Sequence, residues 1–392
     1  MESQREKLYR YNDLYKQHRD HVRTIQARLK TETLPLITEK FALDKEKLAK
    51  VEEYIDDEVT IFRFLKKTRF DLSHAYRKLH AAIEWRLNNN VDAITYPTLP
   101  ITLFRDPIVH FNGFDVLNRP LVVCRLRNYP QIKKKEREQE DTGDDAEVTF
   151  EQLERMGIFC MELGRKYTLE MSRRRENAGW ERPLTTHFSV LVDMSGGRVF
   201  SWVMHYFCFR LFIFLSFTPS ITNSTTITLF LNLSPKKSLQ YYQTRLIPFA
   251  LNLLKTYPSC VGGVYVLNFA PIYHTLWTVA KLVLPEKATS RMLFLDEGSV
   301  TEMIKEENLL CEHGGKSTTV YNHETDPILV RYGGKLPTFT TADASANDED
   351  PGEECWPVSL NATATTPTSD GKWAGWRWPG SGGARVEPEG VV

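Results

Sequence analysis

Residues 264–285 read VYVLNFAPIYHTLWTVAKLVLP, an apolar strand that runs through Ala270 and Pro271 straight into a helix with almost no polar side. A surface helix keeps an apolar stripe of about 100° and gives the rest of its circumference to water. This one offers Ile272, Leu276, Val279 and Val283 on one face and Tyr273, Trp277, Ala280 and Leu284 on the neighbouring one. A soluble chain needs a use for two apolar faces.

Working outward, strands and helices alternate. Residues 239–256 read as a helix, 264–269 as a strand, 272–284 as a helix, 292–295 as a strand and 299–310 as a helix. Such alternation implies a mainly parallel sheet. Upstream, HFSVLVDMSGG is a buried strand ending at Asp193 and a glycine pair, and residues 148–172 form a helix. IVHFNGF and RPLVVCRL read as two strands of a hairpin around Gly113–Arg119. Between hairpin and helix, KKKEREQEDTGDDAE sets a basic half against an acidic half and reads as a solvated loop.

The opening quarter is helical. Leu8, Tyr11, Leu14, Val22, Ile25 and Leu29 mark one stripe, and after Pro35 a second helix runs through Leu43, Leu48, Val51 and Ile55. Asp71 or Ser73 can cap a helix that turns Leu72, Ala75, Leu79, Ile83 and Leu87 inward, and the run Asn88–Asn90 ends it. Beyond about Pro337 the chain is rich in Thr, Ala, Asp, Gly and Pro, with tryptophans at 356, 373, 376 and 378, and lacks the apolar content for a core. The expected organisation is an α/β protein with an N-terminal helical module over residues 1–95, a sheet domain over 96–330 and a disordered tail over 331–392.

Composition narrows the function. The 392 residues are 42% hydrophobic and 26% charged, which suits a soluble globular chain with a sizeable core. Fifty basic residues balance fifty acidic ones, so no bulk field draws the chain to nucleic acid or to anionic membrane. Any membrane partner is met locally. The six cysteines have no metal-site spacing and read as reduced thiols, with no metal and no cofactor expected. The charged start MESQREKLYR lacks the apolar core of a signal peptide, so a cytoplasmic location is expected and the sequons at Asn223, Asn232 and Asn361 read as chance.

Enzyme signatures fail on single residues. GGKST at Gly314–Thr318 resembles a phosphate loop, yet Leu310 stands where the first glycine is required. There is no G-x-S-x-G elbow, no H-E-x-x-H and no G-x-G-x-x-G after a strand. His205 and His274 sit among apolar residues and read as core or interface histidines. Asp193 ends a strand where α/β enzymes place catalytic groups, but the sequence offers it no partner His or Cys, and no catalytic residue is assigned.

Three segments together resemble the CRAL-TRIO lipid-binding family, which includes phosphatidylinositol transfer proteins. IFRFLKKTRFDLSHAYRKLHAAIEWR at Ile61–Arg86 is similar to the family's N-terminal helical module. RPLVVCRL with SVLVDMSGG is similar to its first sheet strands, and Leu253–Gly315 follows its order of Tyr-Pro, strand, gating helix and closing Gly-Gly. The resemblance implies a sheet floor, helices above it, and an apolar cavity closed by a movable gating helix at 272–284. It thereby gives the two-faced helix its use: one face for a lipid cavity, the other for a transient contact with a membrane surface.

On that resemblance the candidate lipid-binding residues are Leu191, Asp193, Tyr265, Leu267, Phe269, Tyr273, Leu276, Trp277, Val279, Ala280, Val283 and Arg291. Phosphatidylinositol-binding members carry an acidic residue after Tyr-Pro and a lysine near the last strand; here those positions are Ser259 and Arg291. The hydroxyl positions that serve phosphatidylcholine are Phe188 and Val190. A phospholipid, a sterol or an isoprenoid therefore stays open as the hydrophobic lipid ligand. The expected role is non-enzymatic lipid binding and transfer between membranes, with a tethering adaptor for a membrane or a GTPase regulator as the alternative.

One stretch departs from the family. FSWVMHYFCFRLFIFLSFTPSITNSTTITLFLNLSPKK, Phe200–Lys237, stands where members pass quickly to the next helix. A transmembrane segment needs about 20 apolar residues, and Phe200–Phe217 falls short, with His205 and Arg210 inside it. A membrane-dipping insert is a second reading, and intron sequence retained in the reading frame a third. Removing about Val199–Lys237 joins SVLVDMSGGR to SLQYYQTRLIPFALNLLKTYP and restores the family's spacing, which favours the third.

Overall fold

The computed structural model describes residues 2–128, 131–132, 147–195, 249, 252–253, 255–269, 291–296, 298–318 and 320–336. The helix expected at 272–284, the stretch at 200–237, His205, His274, most of the charged loop and the C-terminal tail lie outside the described residues. Met1–Phe339 form one compact unit.

Six helices open the chain: α1 (Glu2–Gln17), α2 (Arg19–Arg28), α3 (Leu34–Phe41), α4 (Lys45–Ile55), α5 (Glu58–Lys67) and α6 (Leu72–Asn88). A π turn at Leu29–Thr33 joins α2 to α3. The single helix expected from Pro35 to Ile55 is two, because Ala42 takes a left-handed conformation (φ 47°) and Asp44 caps a new start by accepting from Lys47 N. Asp57 caps α5 through Thr60 N and Asp71 caps α6 through His74 N, both at 2.8 Å. An aspartate at this position satisfies one of the orphan N–H groups of the first turn. The apolar stripes meet in one core of Val22, Ile25, Leu29, Ile37, Val51, Ile55, Ile61, Phe62, Leu65, Leu79 and Ile83. Asn12 fastens α1 to the segment that leads into β5: its side chain accepts from Leu184 N (2.8 Å) and donates to Leu184 O (3.3 Å).

After a short α7 (Thr102–Arg105) come β1 (Val109–Phe114) and β2 (Pro120–Arg125), then the two-residue strands β3 (Gln131–Ile132) and β4 (Glu147–Val148), the long α8 (Phe150–Asn177), and β5 (Phe188–Asp193), β6 (Val261–Leu267) and β7 (Met292–Phe294). The main sheet has the order β1-β2-β5-β6-β7. β1 and β2 form the expected antiparallel hairpin and every other pairing in this sheet is parallel. At the hairpin turn Asp115 Oδ1 accepts from Leu117 N and Arg119 N, and its Oδ2 takes Ser189 Oγ at 2.6 Å and Arg119 Nε at 2.7 Å. Gly113 is required there: φ is +65° and a Cβ would lie 2.7 Å from Asn308 Oδ1.

The expected helix at 299–310 is cut to four residues, α9 (Val300–Met303). Ile304 is extended (φ −130°, ψ 130°) and bridges antiparallel to Asp115, so the chain leaves helix to seal the hairpin turn. A last helix, α10 (Pro327–Tyr332), lies against α8 and is capped by Asp326.

Candidate functional site

The register of the paired strands assigns each side chain to one of two faces, since successive residues of a strand point to opposite sides. One face carries Leu121, Val123, Leu191, Tyr265 and Leu267, and it is packed by Val300, Ile304 and Leu309, with Leu293, Leu295 and Met303 at its margin. This sealed face also holds the sheet's hydrogen-bonding side chains. Tyr265 Oη reaches Asp115 Oδ2 (3.3 Å) and accepts from Arg119 Nη2 (2.9 Å).

The opposite face carries Phe111, Val122, Cys124, Phe188, Val190, Val192, Val264, Val266, Met292 and Phe294, by the same register. Apart from the Cys124 thiol, which burial pushes up to about 12, it has no hydrogen-bonding side chain among these positions. α8 covers its β1–β5 end: Phe111 packs edge-on to Tyr167, and Phe188 fits against Gly164, where a Cβ would lie 2.6 Å from its ring. Toward β7 the face ends in Phe294, whose ring centroid is 4.4 Å from that of Phe269.

This divides the sequence-derived site residues. Leu191, Asp193, Tyr265 and Leu267 belong to the sealed face and are at most 3% exposed. They pack in that core or bond in its network, and the strand positions of the other parity are Val190, which is half-buried, and Val192, Val264 and Val266, which are buried as well. Phe188 has this second parity too. Phe269 meets Phe294 with the two rings tilted by 49°. Arg291 sits at the other end of β7, half-buried, with Nη1 donating to Val261 O at 3.4 Å. Tyr273, Leu276, Trp277, Val279, Ala280 and Val283 lie outside the described residues.

Asp193 does have a histidine partner, contrary to the sequence reading. His313 Nε2 is 3.3 Å from Oδ2, brought there by the closing turn 120 residues later. Ser195 N (2.8 Å) and Asn268 Nδ2 (2.7 Å) donate to Oδ1, and Ser195 Oγ (2.8 Å) donates to Oδ2. Burial alone would raise this carboxyl, but the bonds from His313, Ser195 and Asn268 outweigh it and hold it well below the usual carboxylate range. Both oxygens are thus engaged in fastening the ends of β5 and β6 to the closing turn, and Ser195 donates to the aspartate rather than to the histidine. The arrangement is structural and forms no nucleophile, base and orienter.

A second buried network, missed by the sequence reading, positions the Tyr-Pro turn. Glu162 of α8 accepts from Tyr257 Oη (2.6 Å), Arg165 Nε (3.1 Å) and Arg86. Arg165 Nη1 reaches Asp57 Oδ2 (2.8 Å) and Arg86 Nη2 reaches Asp92 Oδ1 (2.7 Å). The network links α5 and α6 to α8 and to the chain entering β6, just before Ser259 (φ +57°). An i,i+3 Glu-Arg pair on a long helix was the available signal.

Among the described residues no group of three His, Cys, Asp or Glu side chains could hold a metal, and no helix is long and apolar enough to cross a membrane. The described cysteines, Cys124, Cys160, Cys260 and Cys311, are free. The curated proteins contain no match to this chain. A solved structure described as "Crystal structure of Sfh5" is similar at 15% identity, over 78% of this chain and 94% of that one, with a TM-score of 0.41. The family model of the CRAL/TRIO domain matches residues 105–315, more than half of the chain and the whole of the five-stranded sheet. The chain belongs to the CRAL/TRIO domain family, whose members are in general lipid-binding and lipid-transfer proteins rather than enzymes.

Proposed function

We propose that this chain binds a hydrophobic lipid against the sheet face that carries Val190, Val192, Val264, Val266 and Phe294, and moves it between membranes without chemistry. The observation that carries the reading is the division of the sheet: its hydrogen-bonding side chains are gathered on the side sealed by Val300, Ile304 and Leu309, leaving the other side apolar from β1 to β7. A lipid drawn from a bilayer exposes methylenes at about 0.8 kcal/mol each, and only an equally apolar surface offsets that cost. Residues 272–284, with Tyr273, Leu276, Trp277, Val279, Ala280 and Val283, are the candidate lid and lipid-contacting segment. Arg291 supplies a cation at the edge for a phosphate head group if the ligand is a phospholipid. Functionally the chain then divides into a helical module at 1–95, a lipid-binding domain from 96 that runs through α10 to residue 336 rather than stopping at 330, and a tail beyond, acting in the cytoplasm and docking transiently on membranes.

The test is mass spectrometry of lipids extracted from the purified full chain, followed by transfer of the lipid found between donor and acceptor vesicles. A phospholipid, sterol or isoprenoid at near one per chain, and its transfer, is expected. A chain that carries and moves none of these overturns the reading.

A further inference from the structure

A separate feature, independent of lipid binding, lies where the return segment 320–336 packs on the edge strand. α7, β1, α8 and α10 line a partly open cavity of about 20 Å³ whose walls are apolar except for His110, Cys160, Tyr321 and Asp326. His110 is 5% exposed, its ring centroid is 4.8 Å from that of Tyr321, and its Nδ1 is buried with no hydrogen-bond partner. Asp326 is 9% exposed, and its Oδ1 accepts from Ile328 N (2.8 Å) and Leu329 N (3.3 Å). A cavity of this size exceeds the roughly 10–15 Å³ that one water needs, and a buried water needs two to four polar partners.

We propose that the cavity holds a single ordered water, which accepts from His110 Nδ1–H and donates to the Asp326 carboxylate and to Tyr321 Oη, clasping the return segment onto β1. A buried polar atom left without a partner costs the full loss of its hydration, and the water removes that cost for His110. The histidine is neutral here: burial, aided by Arg125, lowers it to about 3. A neutral imidazole has one N–H, so the water fixes that proton on Nδ1. Asp326, raised to about 6 by burial, is a carboxylate at neutral pH and acts only as an acceptor, so the water hydrogen goes to it.

Three measurements test the clasp. A crystal structure of the full chain is expected to show one water within hydrogen-bond distance of His110 Nδ1 and Asp326; a dry cavity overturns the proposal. Long-range ¹H–¹⁵N correlation spectra of the wild-type chain are expected to place the His110 proton on Nδ1, and a proton on Nε2 with bare Nδ1 overturns it. His110→Phe keeps a ring against Tyr321 but removes the donor, and should lower hydrogen-exchange protection of the Val330 and Gly333 amides roughly tenfold, the size of one lost hydrogen bond. Tyr321→Phe, which leaves the water two partners, should lower it less. Unchanged protection in both variants counts against the clasp, and if His110→Phe does not fold, the wild-type tautomer and the Tyr321→Phe protection decide.

Discussion

Glu162 has no access to bulk water worth naming, yet three side chains donate to it and two of them are guanidinium groups. Burial alone would raise its pKa, but Arg165 and Arg86 outweigh burial and hold the carboxyl well below the usual carboxylate range. A carboxyl depressed in the folded state contributes stability that is present above its unfolded pKa and lost as pH falls below it. Acid should therefore unfold this chain progressively below about pH 4.3, through Glu162 and through Asp193, whose carboxyl is held low in the same way. Glu162→Gln removes the charge and leaves two buried guanidinium groups undercompensated. Breaking a buried pair from one side costs about 3–5 kcal/mol, so urea unfolding of the variant should shift by that amount at pH 7 and by less at pH 3, by about 1.4 kcal/mol for each pH unit below about 4.3. An equal shift at both pH values would mean that shape, not charge, is what Glu162 contributes.

At the scale of the strand, the parity of side chains separates two roles that the sequence leaves mixed. Leu191→Ala opens a hole in the sealed core and should cost about 2–5 kcal/mol while the identity of the bound lipid stays the same. Val190→Gln, one residue away on the half-buried opposite side, should lower the lipid carried per chain with little change in unfolding midpoint. Unfolding curves and extracted-lipid mass spectra of the two variants check this, and the opposite pattern would exchange the roles of the faces. The element order was legible because periodicity switches between helix and strand, and because Asp71 announces a helix start; the starts at Asp44 and Asp57 were not read, although the same side chain caps them. The hairpin was legible from its glycine and turn residues. The division of the strands between the two faces was not, since apolar residues stand on both sides of β5 and β6: a strand buried on two sides reads as a continuous run, and one residue of register moves every side chain across. Nor could local pattern foretell that the chain at Ile304 leaves helix to pair with Asp115, or that His313 returns to Asp193, because both depend on contacts far along the sequence.

For the molecule as a whole, the connection from β5 to β6 decides how the family architecture is reached. These strands are parallel neighbours in the sheet, and a parallel pair needs a crossover of about a dozen residues or more. Residues 194–198 and 238–260 alone exceed that length, so the architecture does not require Val199–Lys237. Both flanks are fixed by contacts the stretch does not supply: Ser195 is held by Asp193, and Tyr257 is held by Glu162. Shortening a connection also lowers the entropy lost in closing it, though only by about 0.6 kcal/mol per halving of its length. A variant lacking 199–237 should therefore fold, keep the bound lipid and the transfer activity, and melt at or slightly above the temperature of the full chain. Sequencing of the mature transcript is the companion measurement, expected to show messages in which the codons for this stretch are spliced out. A deletion variant that loses its lipid or fails to fold would instead make the stretch part of the binding domain, and carbonate extraction of the full chain from membranes would then tell whether it holds the protein in a bilayer.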